Sequence, residues 1–83
     1  MPRLETPRDD WDNESGYDVG IAHTFDVCHA WCISNTTCVQ YALDRNGHCR
    51  HFNLPRLGKA GPGVKSGWLA GRIEQLAAAV LPC

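Results

Sequence analysis

Apolar and polar positions change rhythm several times along this chain. From Trp11 onward large apolar side chains enter, and Tyr17, Val19 and Ile21 alternate with Asp18 and Gly20. That period of two predicts a short strand. Thr24 fits an N-cap with Asp26 in the first turn, so Phe25 to Ser34 reads as a helix. On it Cys28 and Cys32 stand four residues apart on one face. Phe25 and His29 border that face, and Val27 and Trp31 form an adjacent ridge. Asn35-Thr36-Thr37 ends the helix as a polar turn. Cys38 to Leu43 returns to period two, with Val39, Tyr41 and Leu43 on one side and Cys38, Gln40 and Ala42 on the other. Asp44-Arg45-Asn46-Gly47 then carries a strong hairpin signal before a returning strand, His48 to Phe52.

The remaining segments are less regular. Asn53 to Gly63 holds Pro55, Gly58, Gly61, Pro62 and Gly63 and predicts a loop. Val64 to Ala70 predicts a last strand anchored by Trp68. Arg72 to Val80 is built of helix formers and stops at Pro82. Residues 1–10, with Pro2, Pro7 and mixed charges, predict a flexible N-terminal arm ahead of a module spanning residues 11–83. Strands around a central helix make the expected class α+β.

Size sharpens the picture. At 83 residues the chain is at most one domain, and so small a core is marginal without disulfides, a metal or a partner. Five cysteines are present, four of them between Cys28 and Cys49. A bond between Cys28 and Cys32 conflicts with the helix, because i and i+4 Cβ atoms stand ~5–6 Å apart and a disulfide wants ~3.5–4.5 Å. Two pairings remain: Cys28–Cys49 with Cys32–Cys38, or Cys28–Cys38 with Cys32–Cys49. Either ties one helix face to the hairpin. The rival is a small structural zinc-binding domain with four thiolates, into which His29, His48 or His51 can substitute. Only Cys28 and Cys32 have the close spacing that structural zinc favours, and they lie on a helix. The expectation is therefore disulfides, with no metal and no cofactor. Cys83 stands apart, either as a free terminal thiol or as half of an intermolecular disulfide.

Charge says little about partners. The net charge is -1, and no basic stripe of the kind nucleic-acid binders carry is present, so nucleic acid is not expected as a partner. No apolar run approaches the ~20 residues a membrane helix needs, so insertion by this chain is not expected either. Met1-Pro2-Arg3-Leu4-Glu5 lacks the apolar centre of a signal peptide. Together with the cysteines this suggests a piece of a longer secreted or lumenal precursor. Asn13-Glu14-Ser15 and Asn35-Thr36-Thr37 are N-glycosylation triplets, consistent with that route.

The order of these features resembles the PAN/apple family. It runs from a Tyr/Ile-bearing strand through the helix with Cys28 and Cys32 to Cys38-Val39-Gln40-Tyr41-Ala42-Leu43. A Gly-containing turn, Cys49 and Ser66-Gly67-Trp68 follow. The resemblance covers roughly residues 11–72. It implies a central helix packed on a curved antiparallel sheet, and the nested pairing of Cys32–Cys38 inside Cys28–Cys49. The extra outer disulfide of many apple domains has no counterpart, since no cysteine precedes Cys28. A narrower likeness, carried by Arg56-Leu57-Gly58, Ser66-Gly67-Trp68-Leu69, Arg72-Ile73 and the terminal Cys83, is to the C-terminal PAN-like segment of fungal fringe-like glycosyltransferases. Those are type II membrane proteins of the secretory pathway; on this likeness the catalytic region, with its metal-binding Asp motif, lies upstream.

Function is expected to be binding of a protein or a glycan. Tyr41, Arg50, His51 and Trp68 are the first candidates, with Tyr17, Trp31 and Arg45 behind them. Core packing competes for Trp31, Tyr41 and Trp68, and Arg50 and His51 read as a solvated strand face. For catalysis by this chain alone the sequence offers no nucleophile with its base once four cysteines are structural. It offers no phosphate loop, and little room for a pocket of ~300 Å³.

Overall fold

The computed structural model describes residues 8–12, 16–55 and 58–80, with side chains for 16–55 and 58–76. Its elements are β1 (Arg8–Asp12), β2 (Tyr17–Ile21), α1 (Phe25–Ser34), β3 (Gln40–Leu43), β4 (His48–Phe52), β5 (Lys59–Trp68) and α2 (Ala70–Val80). The strands form one sheet in the order β1-β5-β3-β4-β2, and every neighbouring pair is antiparallel. The class is α+β.

Helix α1 begins where its cap chemistry dictates. Thr24 is extended (φ -141°, ψ 162°), and its hydroxyl accepts from the Val27 N–H. Only Cys28 and Cys32 of this helix are buried. Cys28 is bonded to Cys49 and Cys32 to Cys38, with Cα atoms 5.5 and 5.3 Å apart. The bonds present are thus the nested pair of the two arrangements the spacing leaves open. Both bridges lie in a core with Ala22, Tyr41 and Leu69, against which Phe25, Val27 and Leu43 pack. A smaller cluster, Ala42, Phe52 and Val64, lies apart from it, on the opposite face of the sheet.

Three expectations need correction. Cys38 does not share a side with Ala42; the strand starts at Gln40, and Cys38 turns inward to reach Cys32. The loop expected through Gly63 ends at Lys59, because the pairing with β1 extends β5 through Gly61-Pro62-Gly63. Pro62, which has no N–H to give a ladder, falls where the β1–β5 register shifts. Arg8, Asp9 and Asp10, placed in the arm by composition, belong to β1, the first strand in the sheet order, which pairs with β5. Residues 1–7, Asn13, Arg56, Leu57 and Cys83 lie outside the described residues.

The hairpin turn forms as its sequence demands. The Gly47 N–H donates to the Asp44 carbonyl at 3.1 Å, and Gly47 takes φ 86°, a region that costs glycine nothing. Across β3 and β5, Tyr41 pairs with Gly67. The Tyr41 ring lies where a Cβ on Gly67 would stand, so the missing side chain makes room for the largest fully buried one.

Arg72, in the first turn of α2, joins the two helices. Its Nη1 lies 3.0 Å from the Cys32 carbonyl and 2.9 Å from those of Asn35 and Cys38, with two hydrogens to share among the three, and its Nη2 donates to the Ile33 carbonyl at 2.6 Å. Carbonyls at a helix C-terminus lack partners within the helix and carry partial negative charge. One planar cation satisfies the end of α1 and the turn after it. An Arg72→Lys variant keeps the charge but loses the fork; it is expected to lower stability by about 2 kcal/mol in urea unfolding. Gly67→Ala, a change that ordinarily helps a strand, is expected to cost about 1–3 kcal/mol here because the Cβ meets Tyr41.

Candidate functional site

Two regions bring chemistry-bearing side chains together. The first is a polar cluster where β2, the end of α1 and β4 meet. Asn35 Nδ2 donates to the Tyr17 hydroxyl at 2.9 Å and faces His51 Nδ1 at 3.3 Å. The Tyr17 hydroxyl donates to Asn53 Oδ1 at 2.9 Å. Thr37 donates its N–H to Asn35 Oδ1 at 3.3 Å. Its hydroxyl lies 3.0 Å from the same oxygen and 3.2 Å from Asn53 Oδ1, with a single proton to share. The Asn-x-Thr triplet is thus a knot of the fold.

Asn35 as a glycan acceptor has a consequence in this geometry. An N-linked sugar replaces one hydrogen of Nδ2, and the two neighbours of that nitrogen, Tyr17 and His51, engage both. A glycan there forms at the expense of one bond.

His51 does not lie on the solvated face expected for it. Alternation along β4 turns it to the same side as Cys49, and it is 2% exposed. The Tyr17 ring stands edge-on at 6.1 Å. Since Asn35 donates to Nδ1, the neutral ring carries its proton on Nε2, which is buried without a hydrogen-bond partner. Burial pushes the imidazole below its ordinary pKa, and the Cys28 backbone only partly offsets this.

Other aromatic candidates divide. Tyr41 is buried, with Phe25 tilted against it at 5.3 Å and His29 stacked at 5.0 Å. Trp68 is half-buried. Trp31, for which packing seemed the stronger reading, is 37% exposed and lies beside Gly20. Helix α1 turns its cysteines inward, which carries Trp31 outward. His48 Nδ1 and Asp18 Oδ2 are 2.8 Å apart on the exposed sheet edge. The Gly20 N–H on the other Asp18 oxygen, then His48 and Arg50, hold that carboxyl below its usual range.

The second region is the surface between the turn and β5. Asp44, Arg45, Asn46, Arg50, Lys59 and Pro62 border an open groove of about 380 Å³, floored by Ala60, Gly61 and Val64. A further groove of about 410 Å³ lies beside α2, where Thr36, Thr37, Val39 and Asn53 meet Arg72, Gln75 and Leu76. So small a chain was expected to lack pockets of this size. Arg50, expected as a binding residue, lines the first groove, and Arg45 joins it. Tyr41 and His51 line neither. Sequence reasoning missed Lys59, because β5 was read as loop there.

The lowered His51 pKa carries a sign. The unfolded chain protonates near 6.5 while the folded one resists, so the unfolded state binds more protons as pH falls. Stability contributed by neutral His51 is present above pH 6.5 and is lost progressively below it, down to the folded pKa. Thermal melts between pH 7.5 and 5 are expected to show this loss, and His51→Gln is expected to flatten the slope.

No protein-family model, curated protein or solved structure matches this chain.

Proposed function

We propose that this chain is a non-catalytic, PAN/apple-like module that binds a protein or carbohydrate in the secretory pathway or outside the cell. The observation that carries the reading is a sheet held rigid by two disulfides that presents open, polar-rimmed grooves at its surface. Rigid scaffolds lose little freedom on binding, which favours affinity from a small contact area. Nested cystines between one helix and a β-hairpin agree with the PAN/apple resemblance, as does α1 lying on an antiparallel sheet. Disulfides fit an oxidising compartment. Among the described residues no helix is long and apolar enough to cross a membrane.

Its side chains also favour binding over chemistry. Four cysteines are spent on bridges, His51 is enclosed, and His48 is engaged by Asp18. The fringe-like reading, an accessory segment beside a glycosyltransferase domain, draws on Ser66, Gly67, Trp68, Leu69 and Arg72. Those residues form the β5–α2 junction, where Gly67 and Arg72 hold Tyr41 and the end of α1. That likeness is therefore one of scaffold, and it adds no ligand. The zinc alternative needs thiolates where the structure has cystines.

Intact mass after alkylation in denaturant, without reductant, decides between bridges and metal. At most one modified thiol, that of Cys83, is expected; four or more, with zinc at one per chain, overturns the module as drawn. Binding is read with a glycan array and a pull-down from secreted proteins. Saturable capture by the oxidised chain, lost on reduction, is expected. Capture of nothing by either method overturns the reading.

A further inference from the structure

The Asn35-Thr36-Thr37 triplet lies inside the inner disulfide loop, with Asn35 midway between Cys32 and Cys38. Drawn out, six residues span roughly 20 Å; the bridge holds the Cα atoms at the two ends 5.3 Å apart. The backbone between them is folded back and pinned. The Asn35 N–H lies 3.0 Å from the Trp31 carbonyl and 3.1 Å from that of Cys32. The Asn35 carbonyl accepts from the Cys38 N–H at 2.9 Å and faces Arg72 Nη1 at 2.9 Å. The triplet is a closed turn and not an extended segment that an enzyme can seat in a cleft.

Its side chains repeat the constraint. N-glycosylation uses two groups of the triplet: the Asn carboxamide, whose nitrogen takes the sugar, and the hydroxyl two residues on, which defines an acceptor. Both are engaged. Asn35 Nδ2 has two hydrogens, and the Tyr17 hydroxyl and His51 Nδ1 take them. The Thr37 hydroxyl lies between Asn35 Oδ1 and Asn53 Oδ1, at 3.0 and 3.2 Å. His51 is buried in the sheet, so one side of the carboxamide is closed by the fold itself.

We propose that Asn35 is a glycan acceptor gated by the Cys32–Cys38 bridge: it takes an N-linked oligosaccharide while the bridge is open and is refused once the bridge has formed. The donor is an oligosaccharide linked to a lipid pyrophosphate. In the transfer the bond from the sugar C1 to the pyrophosphate oxygen breaks and the bond from C1 to Nδ2 forms. One Nδ2 proton leaves to a base of the transferase, and the lipid pyrophosphate is the leaving group. The cysteines act on this step only through access. Opening the bridge lets residues 33–37 extend and lets Asn35 leave Tyr17 and His51. The inference rests on the secretory route of the reading above and adds to it a modification whose occupancy follows cysteine oxidation.

The experiment supplies transferase and donor as microsomal membranes, so its outcome does not depend on where a cell sends the chain. Asn13→Gln in the 83-residue chain leaves Asn35 in the one remaining acceptor triplet. That chain is presented oxidised, reduced and alkylated, and with Cys32→Ser and Cys38→Ser together, which keeps the Cys28–Cys49 bond. An unrelated Asn-x-Thr peptide in each tube reports that the transferase is active. Intact mass reads the added oligosaccharide, and release by a peptide amidase confirms the amide link. The alkylated chain and the double variant are both expected to be glycosylated, and the oxidised chain to be slower by about tenfold or more. Equal rates for the oxidised and alkylated chains overturn the proposal. So does an alkylated chain left unmodified while the peptide is glycosylated. A double variant as slow as the oxidised chain shows that the rest of the fold, and not this bridge, blocks Asn35, and overturns it too. Ligand capture is measured on the unmodified oxidised chain, so these outcomes leave the module reading standing. Four alkylatable thiols in the chain before reduction overturn both.

Discussion

Helix α1 is held to the sheet by sulfur. Of its ten residues only Cys28 and Cys32 are buried, so it brings no broad apolar stripe of the kind that docks most surface helices. Its attachment is instead two covalent bonds, to Cys49 and Cys38. In the chain-entropy picture closing a loop of 21 residues removes roughly 3 kcal/mol of unfolded-state freedom, and one of six roughly 2. The loops are nested, so the second bond adds less than it does alone. That amount is still comparable to what an entire core of this size supplies. Tyr41 fills the space between the bridges and β5, and it fits because Gly67 has no side chain. The arrangement of the remaining helix follows, because Arg72 reads the carbonyls that α1 leaves open at its end.

Much of this was legible in the residues. Phe25–Ser34, His48–Phe52 and Tyr17–Ile21 stand where pattern and caps place them, since Thr24, the Asn46-Gly47 turn and period-two alternation act locally. Local rules also excluded a bond between Cys28 and Cys32. They did not choose between the two remaining pairings; the family resemblance implied the nested one. What local rules missed was decided at a distance. β1 exists because β5 offers it an edge, and β5 runs through Pro62 because β1 lies beside it; neither segment announces itself alone.

The candidate residues divide in the same way. Arg50 was legible as a polar residue on a strand, and it does line a groove. His51, its neighbour, is enclosed because β4 must turn Cys49 toward Cys28, and every second side chain goes with it. Trp31 is carried outward by the same demand on α1. Lys59 and Arg45 come to one groove only in three dimensions, and the Arg45 stem lies against a glycine at residue 63 whose role no spacing reveals. Cysteine geometry thus determines which polar groups reach water, and so which surface is available for recognition.

The six-residue separation of Cys32 and Cys38 also bears on how the chain reaches this state. Most of its strand pairings are remote in sequence, as with Tyr17 opposite His51 and Arg8 opposite Ser66, and remote contacts form slowly. The short loop closes early because bringing its ends together costs little. Once closed, it fixes the start of β3 against the end of α1, and the hairpin through Gly47 then delivers Cys49 to Cys28. The inner bridge works as a starting block for oxidative folding, and the outer one as its latch.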